Sequence, residues 1–178
     1  VLRGMSQQAV AHRAADDALA WQPVVINQRL RDMRIEILEE SLEPEVRFRD
    51  VGPDDVVILP AFGVSVPELQ HLKAKNCVLV DTTCGSVLNV WKKVHFYARD
   101  GYTVIIHGKH YHEETRATAS QALTYPNGHY LCVRDVSETE RLCEFLLGRR
   151  SAADLMAVVA VGDFDKAADA MLASKWAQ

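Results

Sequence analysis

The sequence is poor in the features that mark specialised protein classes, and each shortage excludes something. Four cysteines among 178 residues are too few for a disulfide framework. They suit a reducing compartment, where a special cysteine is a ligand or a nucleophile. There is no excess of positive charge: Lys plus Arg is 20 against 24 for Asp plus Glu, a net charge of −4. Nucleic-acid binding driven by phosphate attraction is therefore not expected. Long apolar runs are missing too. The longest, Leu155 to Val161, falls far short of the ~20 residues of a membrane span, so no membrane partner is expected. The opening Val1-Leu2-Arg3-Gly4-Met5 is neither the apolar core nor the cleavage site of a secretory signal. No fixed-period repeat and no low-complexity tract is present. At 48% hydrophobic and 25% charged residues, the composition is that of a soluble globular protein, not a disordered one. At roughly 150 residues per domain, the length predicts one domain or two small ones. The first residue is Val1 rather than Met, and the chain is read as a piece of something longer.

What is present is a βα rhythm. Val56–Leu59 reads as a buried strand ending at Pro60-Ala61-Phe62-Gly63. Ser65 with Glu68 three residues on, and Pro67 between, predicts a capped helix to about Lys75. Cys77–Val80 is the next strand. Val87, Val90, Trp91, Val94 and Tyr97 or Ala98 recur at helical spacing, and Asp100-Gly101 stops that helix. Thr103–Ile106 and Tyr130–Val133 are further strands, separated by a helix over Glu113–Ala122. Ser137 and Glu140 predict a second capping box, opening a helix through Leu147. Earlier in the chain the pattern predicts a helix over Ser6–Ala20, a strand at Val24–Ile26, a helix over Asn27–Met33 and a strand at Ile35–Leu38. Glu39–Val51, acidic and carrying Pro44, is expected to be an exposed connection. Ser151–Gln178 is Ala-rich and predicted helical in two pieces broken near Gly162. The fold class expected is α/β, with a parallel sheet and helices on both faces.

Parallel sheets place ligands at the carboxyl ends of their strands, and three segments fall there: Pro60-Ala61-Phe62-Gly63, Asp81-Thr82-Thr83-Cys84 and His107 to Glu114. Cys84 would stand at a strand end and a helix N-terminus together. The positive end of a helix dipole stabilises thiolate, the form that both nucleophiles and metal ligands require. A partly buried structural cysteine is the plain alternative, and for Cys77, Cys132 and Cys143, inside regular elements, it is preferred. The His107–Glu114 segment holds three His, one Lys and two Glu in eight residues. Such a set can be a solvated loop, an anion site of His and Lys with a proton-carrying Glu, or a divalent metal site using His110 and His112.

Several blocks carry a more specific signal. Val57-Ile58-Leu59-Pro60-Ala61-Phe62-Gly63, Val80-Asp81-Thr82-Thr83-Cys84, Val90-Trp91, Ile105-Ile106-His107-Gly108-Lys109 and His112-Glu113-Glu114-Thr115-x-Ala117-Thr118-Ala119-Ser120 resemble one family in order and spacing. It is the 4-hydroxy-3-methylbut-2-enyl diphosphate reductases, the IspH or LytB family, and more closely their plant and cyanobacterial branch. Asn27-Gln28-Arg29-Leu30-x-Asp32-Met33 matches upstream. The resemblance implies three small α/β domains around a 4Fe-4S cluster held by three cysteines, one per domain. It implies reductive removal of the allylic hydroxyl as water, giving isopentenyl and dimethylallyl diphosphates in the non-mevalonate isoprenoid route. By motif, Cys84 corresponds to the second cluster ligand, His112 to a diphosphate-binding residue and Glu114 to the acid that relays a proton to the departing hydroxyl. An electron donor such as ferredoxin or flavodoxin is implied. So is a cytoplasmic location, or a plastid one in a photosynthetic eukaryote.

The departures are equally specific. The family's first cluster cysteine is expected in a Cys-x-Gly context near the start, where Leu2 precedes Gly4 and no cysteine comes before Cys77. A substrate-binding His is expected where Trp21-Gln22-Pro23 stands, and Gly85 replaces a Pro. Two of the family's three domains are expected, residues 1–83 and 84–178, with the third absent. The alternative function is a non-catalytic anion-binding remnant without a cluster.

Overall fold

The computed structural model describes residues 7–9, 21–38, 43–151 and 154. The chain divides into two compact units, Val1–Val87 and Leu88–Gln178. The fold is α/β with short parallel sheets.

In the first unit, strands β1 (Gln7–Ala9), β2 (Ile35–Ile37), β3 (Val56–Leu59) and β4 (Val78–Asp81) form a parallel sheet in the order β2-β1-β3-β4. The helices are α1 (Trp21–Asp32), α2 (Pro44–Arg47) and α3 (Val66–Ala74). Strand alternation sorts the apolar residues by face. Val57 and Leu59 join Leu38, Phe48, Val51, Val64 and Leu72 in the core, with Leu79 packed against it. Val78 and Val80, on the other face, are 51% and 42% exposed. The predicted cap is present in full. Ser65 Oγ accepts the Glu68 N–H, and Glu68 Oε2 accepts the Ser65 N–H at 2.9 Å. The other carboxylate oxygen of Glu68 accepts Arg47 Nη1 at 2.7 Å, a pair whose side chains are 2% and 0% exposed.

Three expectations for this unit are overturned. Gln7–Ala9 is a strand rather than the start of a helix, and residues 10–20 lie outside the described residues. Gln7 pairs with Ile35 on one side and Val56 on the other, so two ladders decide what local propensity does not. Val24–Ile26 is helical. Pro23 sits in the first turn of α1, where its missing N–H is no loss, so the helix begins ahead of the β-branched residues. The 39–51 connection is not simply exposed. It carries α2, started by Pro44, and it buries Arg47, Phe48 and Val51.

Helix α4 (Gly85–Arg99) supplies the second unit from Leu88 onward. Strands β5 (Thr103–His107) and β6 (His129–Val133) are parallel, with Thr103 opposite His129 and His107 opposite Val133. Helices α5 (Glu113–Ala122) and α6 (Val136–Leu146) complete the described part. Val94 and Ala98 of α4 pack with Ala122 of α5, joined by Val104, Tyr125 and Tyr130. Of the six apolar positions predicted for α4, Val87, Val94 and Ala98 are buried and Trp91 is half-buried, whereas Val90 and Tyr97 are exposed. Gly101, at φ +83°, adopts the left-handed conformation that ends the helix. The cap of α6 differs from expectation. Asp135, not Ser137, accepts the Glu138 N–H at 3.0 Å, and Glu138 reaches back to the Arg134 N–H. An Asp cap two residues earlier lengthens the helix and buries Glu138. The predicted tail helices lie outside the described residues, apart from Asp154.

Candidate functional site

The sequence-predicted residues fall at two strand ends, one in each unit. In the first unit, the turn after β3 closes with Gly63 N–H donating to Pro60 O at 2.8 Å. The turn after β4 is pinned to it. Cys84 N–H donates to Ala61 O at 2.8 Å, and Thr82 Oγ1 donates to Leu59 O. Thr83 donates both its N–H and its hydroxyl to Asp81 Oδ1, at 2.9 and 2.6 Å. The two threonines are therefore engaged in holding the turn. Cys84 is exposed and directly precedes α4.

The remaining cysteines are placed differently. Burial pushes the Cys132 thiol above its ordinary range, and the Glu138 charge pushes the same way. Cys132 keeps its proton and donates it to Gly108 O at 3.1 Å. Burial likewise raises Cys77, whose thiol points at Leu72 O at 3.4 Å. Cys77 also precedes β4 whereas Cys84 follows it, so the two stand at opposite ends of one strand. Cys143 is exposed on α6, not buried within it.

In the second unit, His107 ends β5 and is exposed. Gly108 N–H donates to Val133 O at 2.9 Å, and His112 N–H donates to Lys109 O at 2.9 Å. His112 is the N-cap of α5, with φ −71° and ψ 135°, and its Nδ1 accepts the Glu114 N–H at 3.3 Å. A neutral imidazole that accepts at Nδ1 carries its proton on Nε2. It thereby presents a donor at a helix N-terminus, where the dipole also favours anions. Glu113 is buried beside Arg116, with Nη1 at 3.7 Å, while Glu114 is exposed. Of the adjacent acids, only Glu114 is open to a ligand from solution. His110 packs its ring edge-on to Tyr111 at 5.3 Å.

Among the described residues, no three His, Cys, Asp or Glu side chains converge to hold a metal ion. The divalent-metal reading of His110 and His112 therefore finds no third ligand among the described residues. The contact missed from sequence is the one between Gly108, Thr115 and Cys132. A lone glycine after a strand signals close backbone approach, but it does not name the partner.

The family described as LytB protein matches residues 9–162. The chain belongs to that family. Among curated LytB-family relatives, the 4-hydroxy-3-methylbut-2-enyl diphosphate reductase of Cyanothece sp. is 46% identical over 122 residues, covering 68% of this chain and 29% of its own length. The chloroplastic reductase of Botryococcus braunii is 47% identical over 122 residues, covering 68% of this chain and 23% of its own. Thus the chain spans under a third of the length of these relatives. Two solved structures share the fold. One is described as (E)-4-hydroxy-3-methyl-but-2-enyl diphosphate reductase, the terminal enzyme of the non-mevalonate pathway (TM-score 0.57, 20% identity, 78% of this chain and 43% of that one). The other is the reductase of Plasmodium falciparum (TM-score 0.58, 20% identity, 78% and 38%). The LytB family uses a 4Fe-4S cluster. Among the described residues no three Cys, His, Asp or Glu side chains converge, and Cys84 is the one exposed thiol that follows a strand end and precedes a helix. These residues alone do not fit the cluster.

Proposed function

We propose that this chain contributes part of the site of a reductase that removes the allylic hydroxyl of 4-hydroxy-3-methylbut-2-enyl diphosphate as water. Isopentenyl and dimethylallyl diphosphates are the products in this reading. The observation that carries it is the N-terminus of α5, where the His112 ring caps the helix and Glu114 stands exposed in the first turn. His112 binds a diphosphate oxygen through its Nε2–H, and the helix N-terminus adds its positive end. Glu114, in its protonated form, gives its proton to the hydroxyl oxygen as the C–O bond breaks. Cys84 would supply one of the thiolates that hold the family's cluster. Two electrons come from a carrier of the ferredoxin or flavodoxin kind, and a second proton, taken up from solvent, completes the allylic carbon as the hydroxyl leaves as water. The place of action is the cytoplasm, or the plastid in a photosynthetic eukaryote.

A second reading rests on a different observation. Leu2 stands two residues before Gly4, where the family's first cluster cysteine is expected, and Trp21-Gln22-Pro23 stands where a substrate-binding His is expected. Those residues favour a non-catalytic anion-binding remnant that keeps the His112 loop and forms no cluster. Anaerobic iron–sulfur reconstitution separates the two. A brown protein with about four irons per chain and turnover supports the reductase. A colourless protein that binds inorganic pyrophosphate supports the remnant.

A further inference from the structure

The His112 loop is launched from a strand end held on three sides. Gly108 N–H donates to Val133 O at 2.9 Å, and Gly108 O accepts the Cys132 thiol at 3.1 Å. On its third side lies Thr115, buried in the first turn of α5. A Cβ placed at residue 108 would stand 2.9 Å from Thr115 Oγ1, closer than a carbon and an oxygen approach without moving. The backbone of Gly108 is not in the left-handed region, so glycine is required there for space and not for its dihedral angles.

The contact joins two points that bracket the candidate ligand groups. Gly108 lies four residues before His112, and Thr115 lies one after Glu114. Within that bracket, His112 N–H is tied to Lys109 O and His112 Nδ1 to the Glu114 N–H. The ring orientation of His112 therefore depends on how closely the first turn of α5 approaches the end of β5. We propose that Gly108 and Thr115 are a positioning pair, whose close contact sets the approach of α5 to β5 and so the orientation of His112 and Glu114. Neither residue touches the ligand in this account. The proposal rests on the reading of α5 as an anion site, and its test keeps the two apart.

The test is a substitution cycle in the full chain, with two readouts. Gly108→Ala sets a methyl against Thr115 Oγ1, so the first turn of α5 or the Thr115 side chain must shift, and Thr115→Ala removes the atom that the new methyl would meet. Ring nitrogen shifts in a nitrogen-detected NMR spectrum report the His112 tautomer, and titration with inorganic pyrophosphate reports binding. Gly108→Ala should shift His112 away from the Nε2–H tautomer and weaken pyrophosphate binding about tenfold. Adding Thr115→Ala should restore most of both, which ties the effect to this contact. Urea unfolding of the single variant, with its midpoint unchanged while the tautomer shifts, separates positioning from loss of stability. If the tautomer changes and recovers while pyrophosphate binds neither parent nor variant, the pair stands and the anion-site reading falls. Pyrophosphate binding by the parent, with tautomer and affinity both untouched by Gly108→Ala, overturns the positioning pair. Loss in Gly108→Ala without recovery in the double variant overturns it as well.

Discussion

His112 and Glu114 lie two residues apart but have different local duties, and this predicts different losses. His112 is committed through Nδ1 to the Glu114 N–H, and in the proposed reading its Nε2–H is the donor to the anion. Glu114 stands exposed, available to carry a proton. In a full-length reductase rebuilt around this segment, Glu114→Gln keeps the shape and removes the acidic hydrogen. General-acid roles are worth about 10²–10⁴-fold, so turnover should drop at least a hundredfold on that scale, with little loss of affinity. His112→Ala should show the reverse bias, with weakened substrate binding as the main defect. Steady-state kinetics on both variants check this, and equal, small losses would sink the role assignment. Gly85 gives a second prediction at this scale. It opens α4, its φ is not left-handed, and a Cβ there meets nothing within 4 Å. Gly85→Ala should therefore stabilise the fold by about 0.4–1 kcal/mol, chiefly by restricting the unfolded chain. Urea unfolding measures it, and a loss of stability would show an unrecognised constraint at the start of α4.

At the scale of elements, two caps carry different physics. The Asp135 carboxyl is held below its ordinary range, first by the Glu138 N–H it accepts and then by Arg134. A depressed folded value means that the cap contributes fully above the ordinary carboxylate range. Its contribution fades as pH falls through the lower, folded value. The Glu138 amide shift should therefore stay constant down to about pH 4 and move only below it. Asp135→Asn caps comparably without titrating, so that movement should vanish; its persistence would point to another acid. The cap of α3 is tied instead to the interior. Glu68 serves Ser65 and the buried Arg47 at once, so Glu68→Ala leaves a buried cation without its carboxylate. Breaking such a pair from one side costs about 3–5 kcal/mol. Denaturant unfolding of the full chain should show a loss of that size in the transition that reports the first unit. A cost under about 1 kcal/mol, typical of exposed pairs, would mean that Arg47 finds water.

At the scale of the whole molecule, apolar strand surface remains open. Val78 and Val80 are 51% and 42% exposed in the first unit, and Ile105 is 40% exposed in the second. Beside Ile105, Val90, Val94, Tyr97 and Tyr102 line an apolar groove of about 590 Å³. Contiguous exposed patches of this kind bind hydrophobic dyes in a folded protein. The chain should accordingly enhance the fluorescence of anilinonaphthalene sulfonate at native conditions, before any loss of near-ultraviolet circular dichroism. Absence of enhancement would show these faces covered in solution.

Sequence alone determined the elements whose signals are local. The Ser65–Glu68 box, the strands Val56–Leu59 and Thr103–Ile106, the stop at Gly101 and the placement of Cys84 ahead of a helix were legible, because caps, short β-branched runs and turn residues act within a few positions. The blocks shared with the LytB family were legible as well, at strand ends, in the turns that follow them and in the helices α4 and α5. Tertiary structure alone decided the rest. Gln7–Ala9 is a strand because two neighbours pair with it, and Arg47 is buried because Glu68, 21 residues away, accepts a hydrogen bond from its guanidinium. Asp135 outcompetes Ser137 as a cap because the earlier start buries Glu138 against the end of β6. Gly108 needs its missing side chain because Thr115, seven residues on, returns to within contact distance. In each case the deciding partner is brought close only by folding, and no local pattern of residues encodes that distance.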